Sequence, residues 1–146
     1  MAGTPGQANW DASRVTVVFA GVIVDGYADG EGLSVEFNED AFSLTVGIDG
    51  KAVRNKILNR SARITINLLA SSATNDALNA IYQLDQIAPN GAGVGPLAIR
   101  DYNGRSILTS PAAWIARPPD FTVDQEAGTR TWILDANPLE VFIGGL

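Results

Sequence analysis

The run Asp25-x-Tyr27-x-Asp29-Gly30-x5-Glu36 places acids at the first, fifth and twelfth positions and glycine at the sixth, the outline of a calcium-binding loop. The third position, however, is aromatic, and the flanks read as strands where that loop requires helices, so the run is read as an acidic turn. Gly91-Ala-Gly93-Val-Gly95 has the glycines of a phosphate cradle but lacks both the lysine and the strand, loop and helix order that aims amides at phosphate. Glu39 with Asp40, or Asp124 with Glu126, has the composition of a glycosidase pair, chemistry that needs two carboxylates at a defined separation across a cleft. The chain has neither histidine nor cysteine. That removes the usual general base, the usual metal ligands, thiolate nucleophiles and disulfides. The residues point away from an enzyme, and they imply no cofactor and no metal.

Charge order points elsewhere. Asp25 to Asp49 holds seven carboxylates and no base, and Lys51 to Arg63 holds five bases and no acid. Opposite blocks side by side in one chain allow copies to pair head to tail if the fold sets them on opposite surfaces. A net charge of −6 opposes binding to phosphate backbones, and no aromatic lies among the five bases to stack on single strands. The apolar runs are too short to span a bilayer, and the N-terminus carries no basic or apolar leader, so no membrane partner is expected.

The elements that must position these charges are mostly strands. Residues 1–13, rich in Gly, Pro, Ala and Asn, read as an arm, with Trp10 as an anchor, and residues 14–146 read as a single β-rich domain. Arg14 to Phe19 and Val22 to Val24 read as strands about an Ala20-Gly21 turn. Leu33, Val35 and Phe37 alternate with polar residues, as do Phe42, Leu44, Val46 and Ile48, and Asn38 to Ala41 is read as the turn of a hairpin joining them. Ile64, Ile66 and Leu68 alternate in a third strand, giving three strands with a common polar face that includes Ser34, Glu36, Ser43, Thr45, Thr65 and Asn67. Arg63 on that face requires an acidic partner.

Lys51 to Asn59 is expected to be an extended loop. Val53, Ile57 and Leu58 are interspersed with its charges, which a purely solvated loop does not need, so it reads as a protein contact. One helix is expected after Ser71 to Asp76, with Ser72 and Thr74 as cap candidates, a stripe of Leu78, Ile81, Tyr82 and Leu84, and a stop at Pro89 to Gly91. Strands resume at Leu97 to Asp101, about a turn at Tyr102 to Arg105, at Ser106 to Leu108, Ala112 to Ala116, Thr129 to Leu134 and Glu140 to Ile143.

An ordered set of segments resembles a known family. Asn38-Glu-Asp-Ala-Phe42, Val46-Gly-Ile-Asp-Gly50, Arg54, Ser61, Ser72-Ala-Thr-Asn-Asp-Ala-Leu78, Ala112-Ala-Trp-Ile-Ala-Arg-Pro-Pro119, Thr131-Trp132 and Phe142-Ile-Gly-Gly145 are similar to segments of tail tube proteins from contractile-tailed bacteriophages. Phe37, where a basic residue is usual, and the terminal Leu146 depart from that pattern. The resemblance implies a β-sandwich or small barrel flanked by one helix, with six copies to a ring and rings stacked into a tube. It implies a structural component of the virion tail, assembled in the host cytoplasm. Its partners would be further copies of itself and the tail sheath, baseplate and terminator proteins, and DNA would pass through the lumen without specific binding. The other ring-forming virion components, baseplate, terminator and head-completion proteins, are the alternative. On this expectation Ser34, Glu36, Ser43, Thr45, Thr65 and Asn67 line the lumen, and Lys51, Val53, Arg54, Lys56, Ile57, Leu58 and Arg60 contact a neighbouring subunit.

Overall fold

The computed structural model describes residues 8–146. The expected arm lies largely outside that range; within it, Trp10 is exposed and Ala12–Arg14 form one 3-10 turn. Ten strands and one helix follow. They are β1 (Val15–Phe19), β2 (Val22–Val24), β3 (Leu33–Phe37), β4 (Phe42–Val46), β5 (Ala52–Lys56), β6 (Ala62–Leu69), α1 (Thr74–Ile87), β7 (Gly95–Asp101), β8 (Ile107–Arg117), β9 (Thr129–Ala136) and β10 (Glu140–Phe142).

Nearly all of them belong to one antiparallel sheet in the order β2-β1-β7-β8-β9-β6-β3, with β10 paired to β8. An isolated bridge from Tyr27 to Leu68 draws the chain leaving β2 across to β6, so the sheet curls over its own apolar face without a ladder that closes it. The fold is mainly β, as expected, and it is an open curled sheet, not a barrel.

Alternation determines the core. In β6, Ala62, Ile64, Ile66 and Leu68 are buried while Arg63, Thr65 and Asn67 face away, and β9 sets Trp132, Leu134 and Ala136 beside them. Val17, Phe19, Leu97, Ile99 and Ile115 fill the other half of the same cluster. Each large side chain buried this way contributes about 1.5–3 kcal/mol, which explains why the register is firmly held where one face is covered.

The helix closes one side of the core with Leu78, and Ile81 and Tyr82 pack partly against it. Leu84, expected in the same stripe, is exposed, so the apolar face is narrower than its spacing suggests. Neither cap candidate occupies the cap: Ala73 does, with helical dihedrals and no side-chain capping bond, and Thr74 is the first helical residue. Both candidates instead join the helix start to the end of β2. Ser72 Oγ accepts from the Thr74 amide (3.2 Å) and donates to the Asp25 carbonyl (2.8 Å), and Thr74 Oγ1 donates to Asp25 Oδ1 (2.9 Å). Gly26 is required at this junction, because its φ is +74° and an added Cβ would lie 2.6 Å from Ser72. Asn75 completes the attachment: its Nδ2 donates to the Leu69 carbonyl (2.9 Å) and its Oδ1 accepts from Trp132 Nε1 (3.0 Å).

Three sequence expectations about pairing are overturned. β3 pairs with β6, not β4, because Phe37 is opposite Ala62 and the intervening chain leaves the sheet altogether. The segment expected as a loop contains β5, which pairs with β4 in a separate two-stranded hairpin. Ser106 to Leu108 and Ala112 to Ala116 are one long strand, β8, with a register shift against β7.

Candidate interaction surfaces

The β4–β5 hairpin is where sequence and environment disagree most. Its turn follows from Asp49-Gly50: Asp49 Oδ1 accepts from the Lys51 amide (3.2 Å), Gly50 has a φ of +86°, and the Gly47 amide donates to the Lys51 carbonyl (2.6 Å). At its root the Ile57 amide donates to the Ala41 carbonyl (2.9 Å). The register places Phe42 opposite Lys56, Leu44 opposite Arg54 and Val46 opposite Ala52, so three large apolar residues, one alanine and two bases share one face. The Arg54 guanidinium lies 3.7 Å from the centroid of the Phe42 ring. On the other face Asn55 Nδ2 donates to Ser43 Oγ (3.3 Å) and Thr45 Oγ1 (2.9 Å), beside Val53.

Most of this hairpin is exposed. Leu44 is 67% exposed, Val46 58%, Val53 61%, and Ile48 is wholly in solvent. An isolated two-stranded hairpin is marginally stable in water, and an uncovered apolar row on one marks a contact surface. At its root a cavity of about 500 Å³ is lined by Phe37, Phe42, Ile57 and Val141 together with Lys56 and Arg60.

The second surface is the polar face of the main sheet. Ser34 lies opposite Thr65 and Glu36 opposite Arg63, and β6 continues the ladder with Arg63 opposite Asp135 and Asn67 opposite Thr131. Arg63 Nε donates to Asp135 Oδ1 at 3.3 Å, supplying the acidic partner that the sequence required. Thr131 Oγ1 donates to Asn67 Oδ1 (2.7 Å), and Asn67 Nδ2 donates to the Glu31 carbonyl (2.8 Å). Arg63 is the one base among the outward positions of β3 and β6, and it is neutralised in place.

The acidic turn has no calcium-loop geometry, since the Asp25 carboxylate is held by Thr74 and Tyr27 packs against the core. The Tyr27 hydroxyl is buried with no hydrogen-bond partner among the described residues. Burial, reinforced by the nearby Asp25 charge, pushes its pKa up to about 12. This is an ionisation suppressed by packing, with no reacting group beside it.

The family described as bacteriophage PhiTE tail tube protein matches residues 7–144. This chain belongs to that family. The family is one of structural tail tube proteins, not of enzymes. "Structural protein ORF10" of Pseudomonas phage KPP10 is 32% identical over 109 residues, 75% of this chain and 63% of the relative, so the chain spans less than two thirds of that relative's length.

Three solved structures share the fold at low identity. The tube-terminating cap of the anti-feeding prophage has a TM-score of 0.60 at 15% identity, covering 94% of this chain and 93% of that one. The sheath/tube terminator of the extracellular contractile injection system PVC, in its extended state, scores 0.59 at 14% identity, covering 94% and 99%. The sheath-tube complex of the same system scores 0.55 at 12% identity, covering 90% of each chain.

The tail tube family protein groups the expected site residues differently from their order in sequence. Ser34, Glu36, Thr65 and Asn67 do share one face of the main sheet, whereas Ser43 and Thr45 sit on the hairpin, bound to Asn55 and separated from that face. Of the expected contact residues, Val53, Arg54 and Lys56 are on β5, Lys51 is in the turn, and Ile57, Leu58 and Arg60 are in the segment returning to β6. Sequence reasoning missed the other half of this surface, Phe42, Leu44, Val46 and Ile48. The available signal was Asp49-Gly50 between two runs, the usual mark of a hairpin turn.

Proposed function

We propose that this protein forms rings, six copies to a ring as the family resemblance implies, that stack into the tail tube and enclose a channel for DNA. The observation that carries this reading is the β4–β5 hairpin, whose apolar row has no cover among the described residues. A second copy is the natural cover, because a heterologous contact that does not close on itself builds a filament. The contact residues are then Lys51, Val53, Arg54, Lys56, Ile57, Leu58 and Arg60, together with the newly found row on β4. The same reading treats residues 1–13 as an arm on a tube-forming domain, 14–146.

Ring closure has its own support. Among the described residues the main sheet ends in two unpaired edges, β2 and β3, and joining such edges around a ring removes surfaces that would otherwise template aggregation. The face carrying Ser34, Glu36, Thr65 and Asn67 then lines the lumen. With Arg63 paired to Asp135, that lining offers DNA little positive charge to hold it. Sheath, baseplate and terminator proteins are the remaining partners on this reading.

Negative-stain microscopy of the purified protein tests it. Long tubes are expected from the parent, and folded subunits without tubes from the K51E/R54E/K56E variant. Normal tubes from the variant overturn the role of the hairpin, and parent rings that never stack favour a terminator or other ring-forming component.

A further inference from the structure

The surface that receives the hairpin can be located from register and charge, granting the stacking role just proposed. β6 and β9 pair along their whole length, from Ala62 opposite Ala136 to Leu69 opposite Thr129. The hairpin joins the sheet at the first of these ends, where Phe37 is opposite Ala62. At the other end, roughly 24 Å away at 3.4 Å per residue, the connection 118–128 enters β9 at Thr129. The segment containing Asp29 and Glu31 passes the same end, since Tyr27 bridges Leu68 and Leu33 is opposite Ile66. The basic arm and these acidic connections therefore occupy opposite ends of one strand pair, the arrangement that head-to-tail stacking needs.

The connection 118–128 has what the hairpin lacks. It contains no helix or strand and is longer than the connections of a few residues usual between strands. Phe121 is 79% exposed and Val123 82%, and the carboxylates of Asp124 and Glu126 are interleaved with them. Arg117 holds Asp120 at 3.2 Å, while neither Asp124 nor Glu126 has a salt-bridge partner among the described residues. The hairpin face presents the converse: Phe42, Leu44 and Val46 with Arg54 and Lys56. The exposed apolar pair on α1 fits less well. Beside Leu84 and Ile87 on α1 lies Asp85, whose carboxylate is already held by the amides of Ala92 and Gly93.

We propose that the hairpin of one copy docks on connection 118–128 of a second copy. Its apolar row lies against Phe121 and Val123, and Arg54 and Lys56 lie opposite Asp124 and Glu126. Opposed charge sets the direction of stacking, and apolar contact holds it.

The cysteine-free chain allows a direct test. Tubes of L44C/V123C, mildly oxidised, are expected to give a ladder of covalent multimers on a non-reducing gel, and tubes of L44C/L84C are expected to give none. A missing ladder from well-formed L44C/V123C tubes overturns the proposal, as does an equal ladder from the control. Independently, D124K/E126K should lower the polymerised fraction at least tenfold, and adding R54E/K56E should bring it back to within about threefold of the parent. Parental polymerisation by D124K/E126K, with K51E/R54E/K56E still blocked, overturns this acceptor alone and leaves the hairpin role standing. Normal polymerisation by both overturns the two together.

Discussion

Strand pairs β4–β5 and β6–β9 are both antiparallel, and both alternate apolar with polar residues. In β6–β9 the apolar set, Ile64, Ile66, Leu68, Trp132 and Leu134, is buried by the curled sheet and the helix. In β4–β5 the equivalent set, Phe42, Leu44 and Val46, is in solvent. Alternation identifies which face of a strand is apolar, but it says nothing of what covers that face. One pair is completed within its own chain, and the other, on the proposed reading, is completed by a second copy.

The difference can be broken most sharply by matched truncations. Ile66→Ala should lower the stability of the isolated subunit by about 2–5 kcal/mol, because it opens a cavity in a fully buried site. Leu44→Ala should change it by no more than about 0.5 kcal/mol while sharply reducing tube formation. Urea titration of the subunit with sedimentation of the polymer measures both. Equal loss of stability from the two would mean that the hairpin is held by its own chain after all.

A smaller effect is expected where the helix is fastened to β9. Asn75→Ala would leave Trp132 Nε1 without its partner and the Leu69 carbonyl with the Ser72 amide alone, a loss of about 1–3 kcal/mol. It should leave the hairpin, and so assembly of the folded fraction, intact. Thermal unfolding beside microscopy checks this, and tubes lost without loss of stability would show that the helix takes part in assembly.

The smallest expected effect is a gain. Tyr27→Phe removes a buried hydroxyl that has no partner among the described residues and should stabilise the subunit by about 1 kcal/mol or less. Its pH dependence has a definite sign. The folded pKa is raised from 10.0 to about 12, so above pH 10 the unfolded chain releases a proton that the native state retains. The contribution is therefore complete below pH 10 and is lost as pH rises through 12. Urea midpoints at pH 9 and 11.5 should fall less in the Phe variant than in the parent; an equal fall would show that Tyr27 does not govern the alkaline limit.

Much of this was legible in the residues. The β1–β2 turn, the burial pattern of β6, the single helix and the tail tube family were readable because each rests on local periodicity or on short ordered segments. The separation of hairpin from sheet was not. Asn38 to Ala41 has the composition of a hairpin turn, yet in the fold it is the departure point of an arm, because β3 pairs with a strand whose register partners lie 25 to 33 positions away, Phe37 with Ala62 at one end and Leu33 with Ile66 at the other. Local composition carries no information on so distant a pairing. For the same reason Ser43 and Thr45, whose alternation matches that of Ser34 and Thr65, were grouped with the wrong sheet.

The sequence by itself determined that the chain is β-rich, that it lacks the side chains of ordinary catalysis and that its charges are sorted into an acidic and a basic block. Only the tertiary structure decided where those blocks lie. The basic block is raised on an uncovered hairpin at one end of β6–β9, part of the acidic block is carried past the other end, and Arg63 is withdrawn from the basic set by Asp135. The physical reason is that a charge's sign is a property of its side chain, whereas its partner is chosen by pairing between segments far apart in the chain.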